Sequence, residues 1–185
     1  MSTLIALSGS LRRASFNTAL LRAAASLAPA GVTVDVRTLH GIPVYDGDDE
    51  ARGVPEAVTE LRAAIKAADG VLIGCPEYNN SFSGVLKNGL DWLSRPSGEG
   101  TKTFGGKPVA VMGGTPGNGG TLLGQNALLP VLRTFGADPW WGGRLTVSQI
   151  HKLFDEQGTL VDAALTEQVR GFMAGFVAHL RVRVQ

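Results

Sequence analysis

Three continuous apolar runs, each followed by a loop rich in small or polar residues, constrain the fold of this chain most strongly. They are Leu4 to Leu7, Val71 to Cys75 and Pro108 to Met112. A short apolar run without polar alternation is typical of a strand that is covered on both faces. We therefore expect these runs to be the central strands of a parallel sheet.

Segments with helical spacing of apolar residues alternate with these strands. Strand and helix alternate roughly five times, which predicts an α/β fold: an open, doubly wound parallel sheet with helices on both faces. No linker or repeat divides the chain, so we expect a single domain over residues 1–185. Pro130 is expected to kink or split the helix that contains it. We expect helices over residues 18–27, 83–94 and 122–135, one that begins at Pro55, and a final helix that includes Leu165 and Leu180. Residues 32–36 are expected to form an edge strand.

The composition excludes several classes of protein. With 185 residues and 44% hydrophobic content, the chain has enough material for one core. Its net charge of +1 provides no basic field for nucleic acid. A single cysteine, Cys75, excludes an internal disulfide and a cysteine-based zinc site. No apolar stretch reaches membrane-spanning length. We therefore expect a soluble cytoplasmic protein without a nucleic-acid or membrane partner.

The loop after the first strand carries the clearest candidate site. Ser10, Arg12, Ser15 and Asn17 lie where the strand delivers the chain to a helix start. Free N–H groups and the helix dipole favour an anion there, and these side chains suit a phosphate. The alternative is that Ser15 or Asn17 only caps the helix. Neither the P-loop pattern nor G-x-G-x-x-G is present, which argues against a nucleotide held in either manner.

Two further loops should reach the same edge of the sheet, because ligands of open parallel sheets lie at the carboxyl ends of the strands. Residues 76–81 offer an aromatic ring and amides, and residues 113–120 contain five glycines, unless the latter form only a flexible loop. One phosphate site beside a polar, aromatic-lined surface fits flavin mononucleotide (FMN). The acidic residues Asp48, Asp49 and Glu50 are read as a solvated loop and not as a metal site.

Two segments resemble the signatures of the NADPH-dependent FMN reductase family, which includes flavoprotein quinone and chromate reductases. They are Gly-Ser-Leu-Arg-Arg-Ala-Ser-Phe-Asn (Gly9 to Asn17) and the segment from Pro76 to Arg95, which begins Pro-Glu-Tyr-Asn-Asn-Ser. Ile42-Pro43-Val44-Tyr45-Asp46 lies between them. The order and separation are those of the family, and the resemblance spans nearly the whole chain.

The resemblance implies a flavodoxin-like, five-stranded sheet of order 2-1-3-4-5. It also implies two groups of cofactor-binding residues and no catalytic acid–base residue or metal. One group holds the FMN phosphate and the other lines the isoalloxazine ring. The first group is Ser10, Arg12, Ser15 and Asn17, and the second is Pro76, Glu77, Tyr78 and Asn79, with Gly114 and Thr115 near the ring from the other side. Phe16 is a further implied cofactor-binding residue.

The implied activity is electron transfer from NADPH or NADH through FMN to small-molecule acceptors by a ping-pong mechanism. Quinones, free flavins, azo dyes and metal oxyanions such as chromate are the acceptors considered. The alternative is a flavodoxin-type electron carrier, although such carriers are typically strongly acidic. The resemblance also implies a homodimer or tetramer, with Trp92 and the loop of Tyr45 as candidate contacts. In the alternative, Trp92 packs within its own chain.

Overall fold

The computed structural model of the protein describes residues 1–182, and a parallel sheet of six strand segments lies at its centre. Residues 183–185, the end of the predicted domain, lie outside the described residues. The strands are β1 (Ser2–Ser8), β2 (Val32–Arg37), β3 (Gly70–Gly74), β4 (Glu77–Tyr78), β5 (Ser81–Phe82), β6 (Pro108–Gly114), β7 (Asp138–Pro139) and β8 (Leu145–Val147).

Helices follow most of these strands. They are α1 (Phe16–Ser26), α2 (Gly47–Arg52), α3 (Glu56–Ala67), α4 (Gly84–Leu93), α5 (Glu99–Phe104), α6 (Leu122–Thr134) and α7 (Ala163–Val182), with a 3-10 turn at Ile150–Lys152. Within residues 1–182, none of them is both long enough and apolar enough to cross a lipid bilayer.

The sheet order is β2-β1-β3-β6-β7, and β8 also pairs with β6. All of these pairings are parallel. The predicted α/β class with a flavodoxin-like arrangement is therefore confirmed. The structure differs at the edge beyond β6, where two short segments take the place of the single last strand that was expected.

Alternating side chains of the central strands build a core on each face of the sheet. In β1, Leu4 and Ala6 pack with the apolar sides of α1 and α7. Ile5 and Leu7 face the other way and pack with α3, α4, α5 and α6. Because successive side chains of a strand point to opposite faces, a run without polar residues buries both faces.

Local structure departs from the sequence prediction in four places. The acidic residues after Asp46 form the short helix α2, because Asp46 caps it by accepting the N–H of Asp48 at 2.8 Å. The loop after β3 contains a hairpin, β4–β5, and α5 was not expected. Finally, α6 runs through Pro130 without being split. Pro130 lies on the exposed side of α6, where water can satisfy the carbonyl that its missing N–H leaves free.

Candidate flavin site

The carboxyl ends of β1, β3 and β6 lie side by side, because these strands are parallel neighbours. The loops that follow them enclose one cleft. Ten of the eleven predicted site residues line it, and the sequence prediction did not include the eleventh lining residue, Pro116. The lining residues are Ser10, Arg12, Ser15, Phe16, Asn17, Pro76, Glu77, Tyr78, Gly114, Thr115 and Pro116.

The hydroxyls of two serines that line this cleft each accept a backbone N–H of the first loop or of α1. The Ser10 hydroxyl accepts the Arg12 N–H at 3.3 Å, and the Ser15 hydroxyl accepts the Thr18 N–H at 3.3 Å as the N-cap of α1. A hydroxyl that accepts from the backbone keeps its own hydrogen available as a donor. Ser15 therefore caps the helix, as the alternative interpretation held, and still has a donor for an anion.

Arg12 supplies the positive charge of the cleft. One Nη atom donates to the carbonyl of Ala14 at 2.9 Å, which holds the exposed side chain across the loop. Among the described residues, its guanidinium forms no ion pair with a carboxylate. The remaining N–H groups and the charge are consequently available to an anion at the start of α1.

Asn17 connects the first loop with the glycine-rich loop. Its Nδ2 donates to the carbonyl of Gly114 at 3.0 Å, and its Oδ1 accepts the Gly114 N–H at 3.0 Å. The side chain is only 7% exposed. The sequence placed Asn17 correctly beside the cleft, but nothing in the motif indicates that its amide pairs with a backbone 97 residues away.

The hairpin β4–β5 explains how the Tyr78 ring reaches the cleft. Asn79 and Asn80 have φ angles of 52° and 64°, the left-handed values of a two-residue turn of type I′. Asparagine is one of the few residues other than glycine that adopts this conformation readily. Tyr78 precedes the turn and is 53% exposed at the cleft, whereas Asn79 lies at the hairpin tip and is not among the lining residues.

Glu77 fixes the hairpin to the start of α6. Its Oε2 accepts the N–H of Gly124 at 2.9 Å, and a side chain on Gly124 would meet the carbonyls of Pro76 and Ser81 at 3.3 Å. The N-cap residue of α6, Thr121, makes no side-chain cap of its own. A carboxylate from the neighbouring loop therefore satisfies one of the unpaired N–H groups at the helix start.

The glycine-rich loop is anchored and is not simply flexible. Thr115 donates its N–H to Val147 and accepts from Ile150, and Gln149 donates its N–H to Gly117. Gln149 also donates from its side chain to Asn118. A strand end and a 3-10 turn, both distant in sequence, thus determine the path of this loop.

Cys75 lies directly before the cleft and is fully buried. Burial raises the pKa of its thiol to about 12, and the nearby Glu77 carboxylate contributes in the same direction. The thiol is therefore protonated at neutral pH, where it donates weakly to the Pro76 carbonyl. These properties favour a packing role for Cys75 over redox chemistry.

Ser83 is a further residue that shapes the site and was predicted only as a helix start. Its hydroxyl donates to the Gly9 carbonyl at 2.6 Å and accepts the Leu86 N–H as the N-cap of α4. The signal in the sequence was a serine before a helical pattern. That pattern predicts the cap but not the contact with Gly9.

The family model of NADPH-dependent FMN reductases matches residues 2–152, a range that includes all three loops. The chain belongs to this family. The predicted family, enzyme class and cofactors, FMN with NAD(P)H, are therefore confirmed at the level of the family.

Individual relatives agree with this assignment. The chain is 39% identical over 166 residues to an NAD(P)H-dependent FMN reductase of Pseudomonas aeruginosa. The match covers 90% of this chain and 88% of that protein. It is 37% identical over 175 residues to a 2-hydroxy-1,4-benzoquinone reductase of a Burkholderia species, with coverages of 95% and 94%.

A solved structure shows the same architecture. The flavoenzyme NAD(P)H:(acceptor) oxidoreductase FerB of Paracoccus denitrificans superposes with a TM-score of 0.84 at 30% sequence identity, covering 98% of each chain. The likeness extends over the described sheet and its helices, so the site loops of this family member lie on a scaffold shared with a known flavoenzyme.

Proposed function

We propose that this protein is an FMN-dependent NAD(P)H oxidoreductase that transfers electrons to small organic acceptors, quinones first among them. One observation carries the proposal: donors at the start of α1, which have no carboxylate partner among residues 1–182, meet the aromatic side chains of Phe16 and Tyr78 in a single cleft. Free flavins, azo dyes and metal oxyanions such as chromate are further candidate acceptors.

The donor set at the start of α1 fits the FMN phosphate. The hydroxyls of Ser10 and Ser15 keep their hydrogens for an acceptor, and Arg12 brings a charge that no described carboxylate neutralises. Free N–H groups at a helix start add to this set. The arrangement offers donors and positive charge, as a phosphate dianion requires.

The other half of the cleft fits a flat ring. Pro76, Tyr78, Gly114 and Thr115 all line this cleft, and we expect Pro76 and Tyr78 to contact one side of the ring and Gly114 and Thr115 the other. When bound there, FMN supplies hydride and electron transfer chemistry. For this chemistry the protein has to hold the nicotinamide or the acceptor stacked on the flavin ring. The anchored loops would orient the two rings in this way without an acid–base residue.

The names of two relatives support the choice of acceptors, since the Burkholderia protein is a benzoquinone reductase and the Pseudomonas putida relative, 34% identical, is a quinone reductase. A net charge of +1 also gives this chain no acidic docking field of the kind that electron carriers use.

The test is an anaerobic titration of the FMN-loaded protein. We expect NADPH or NADH to bleach the visible absorption band of the flavin within seconds. A benzoquinone should then restore this band. Steady-state rates should then give parallel double-reciprocal lines, because the nicotinamide and the quinone stack in turn at the same open face. A flavin that dithionite bleaches but NADPH and NADH leave oxidised would contradict the proposal and favour a carrier.

We also propose a homodimer or tetramer, with a correction to the contact that the sequence suggested. Trp92 is fully buried, its Nε1 donates to the Pro43 carbonyl at 2.9 Å, and its ring meets Tyr45 edge-on at 5.2 Å. Trp92 therefore packs within its own chain, and the exposed Val44 is the better candidate contact in that loop. Light scattering at micromolar concentration should give at least twice the chain mass, and a monomer mass would refute the assembly.

We propose that the whole chain is one FMN-binding domain, supported by two cores that share a single sheet. We propose a cytoplasmic location, supported by the use of NAD(P)H as reductant.

A further inference from the structure

We propose that the Asn17 side chain acts as a positioning group that sets the distance between the phosphate end and the ring end of the flavin site, by holding Gly114. The inference rests on the proposed FMN function. It differs from the role that the motif suggests for Asn17, a direct phosphate contact. Its basis is the pair of 3.0 Å hydrogen bonds that join the Asn17 amide to the Gly114 backbone.

The sheet explains why Gly114 needs this partner. At the end of β3, the Cys75 N–H donates to the Met112 carbonyl of β6 at 2.8 Å. The next residue, Pro76, has no N–H, and the chain turns away into the β4–β5 hairpin. Gly114 lies two residues after Met112 in β6, and its backbone faces the same side of that strand. At this level β3 has already left the sheet and offers no partner.

Hydrogen bonds on the opposite side of β6 confirm this orientation. Thr115 exchanges hydrogen bonds with Val147 and Ile150, so the backbone groups of the preceding residue face away from β8. Buried backbone donors and acceptors are almost always paired. A primary amide carries one acceptor and a donor side by side, so Asn17 substitutes for the peptide of a missing strand.

The position of Asn17 in α1 makes this contact functional as well as structural. Asn17 is the second residue of α1, beside the N–H groups that face the proposed phosphate. Gly114 lines the ring end, and a Cβ there would approach Ile150 Cδ1 to 2.4 Å. Gly114 is thus packed on one side and bonded to α1 on the other, so the two ends of the cleft cannot move independently.

The experiment compares FMN with riboflavin, which has the same ring system and no phosphate. For Asn17→Ala we expect the dissociation constants of both flavins to rise by a similar factor, about tenfold or more. Arg12→Ala should weaken FMN binding and leave riboflavin binding unchanged. Asn17→Asp keeps the acceptor for the Gly114 N–H but sets a carboxylate oxygen against the Gly114 carbonyl, so riboflavin binding should fall in this variant too.

Two further measurements separate positioning from a loss of stability. Amide hydrogen exchange at Gly114 in the apoprotein should accelerate in Asn17→Ala. Val169→Ala is the matched control, because Val169 is fully buried in α7 and does not line the cleft. It should lower the melting temperature and leave both dissociation constants unchanged at 25 °C. If Asn17→Ala fails to fold, Asn17→Asp carries the comparison.

The outcomes are distinct. A selective loss of FMN binding in Asn17→Ala, matching Arg12→Ala, would show a direct phosphate contact and overturn the inference. Unchanged binding of both flavins would overturn it equally. Wild-type protein that binds neither flavin would instead refute the proposed function.

Discussion

Gly113→Ala is expected to destabilise the folded protein by about 3 kcal/mol or more and to abolish flavin binding. A Cβ at this position would lie 2.3 Å from the Cys75 carbonyl oxygen and 2.3 Å from Oγ1 of Thr121. The first of these atoms is backbone, so no side-chain rotation relieves the contact. Either β6 or the turn at Pro76 has to move, and both border the cleft. Urea unfolding followed by circular dichroism and an FMN titration measure the two effects.

Gly119→Ala is the matched control in the same loop. No atom lies within 4 Å of the position that its Cβ would take, and its φ angle is outside the left-handed region. We expect a change in stability of less than about 0.5 kcal/mol and normal FMN binding. Equal stabilities of the two variants would show that β6 and the Cys75 turn are not packed as described.

Arg12→Ala is expected to weaken FMN binding by roughly 10- to 150-fold, the equivalent of about 1.5–3 kcal/mol for a hydrogen bond to a charged group. The guanidinium has no carboxylate partner in the described part of the chain, so its charge acts on the bound phosphate with little internal compensation. Fluorescence titration of the apoprotein measures the dissociation constant. The difference from wild type should shrink as salt is added, because salt screens an exposed pair.

Arg13→Ala serves as the control for Arg12→Ala. Arg13 is the adjacent exposed cation, and it is not among the residues that line the cleft. Its removal changes the net charge equally and should leave FMN affinity within about twofold of wild type, since exposed charges outside a contact contribute little. If the two variants lose the same affinity, the phosphate lies elsewhere or responds only to the total charge.

The sequence was most informative about the site where a motif combines strand, turn and helix start. Ser10, Arg12 and Ser15 are close in sequence, so the local turn alone brings them together at the start of α1. The hairpin was missed because Asn79 and Asn80 read as loop residues, although the left-handed preference of asparagine also permits a tight turn.

The edge beyond β6 could not be predicted for a different reason. The segments β7 and β8 contain two and three residues, too few to show a period in the sequence. Their pairing with β6 depends on contacts between distant parts of the chain. Likewise, α5 spans only Glu99–Phe104, and short helices are stabilised by tertiary packing more than by local propensity.

The sequence by itself determined the class of fold and the edge of the sheet where the site lies. Uninterrupted apolar runs need cover on both faces, and parallel strands bring their carboxyl ends to one edge. Only the tertiary structure decided what the individual polar groups do there. Asn17 bonds to Gly114, Glu77 caps α6, and Ser83 bonds to Gly9. Each partner is a buried backbone group left unpaired where a strand or helix ends, and which side chain satisfies it depends on three-dimensional proximity that residue type and spacing do not encode.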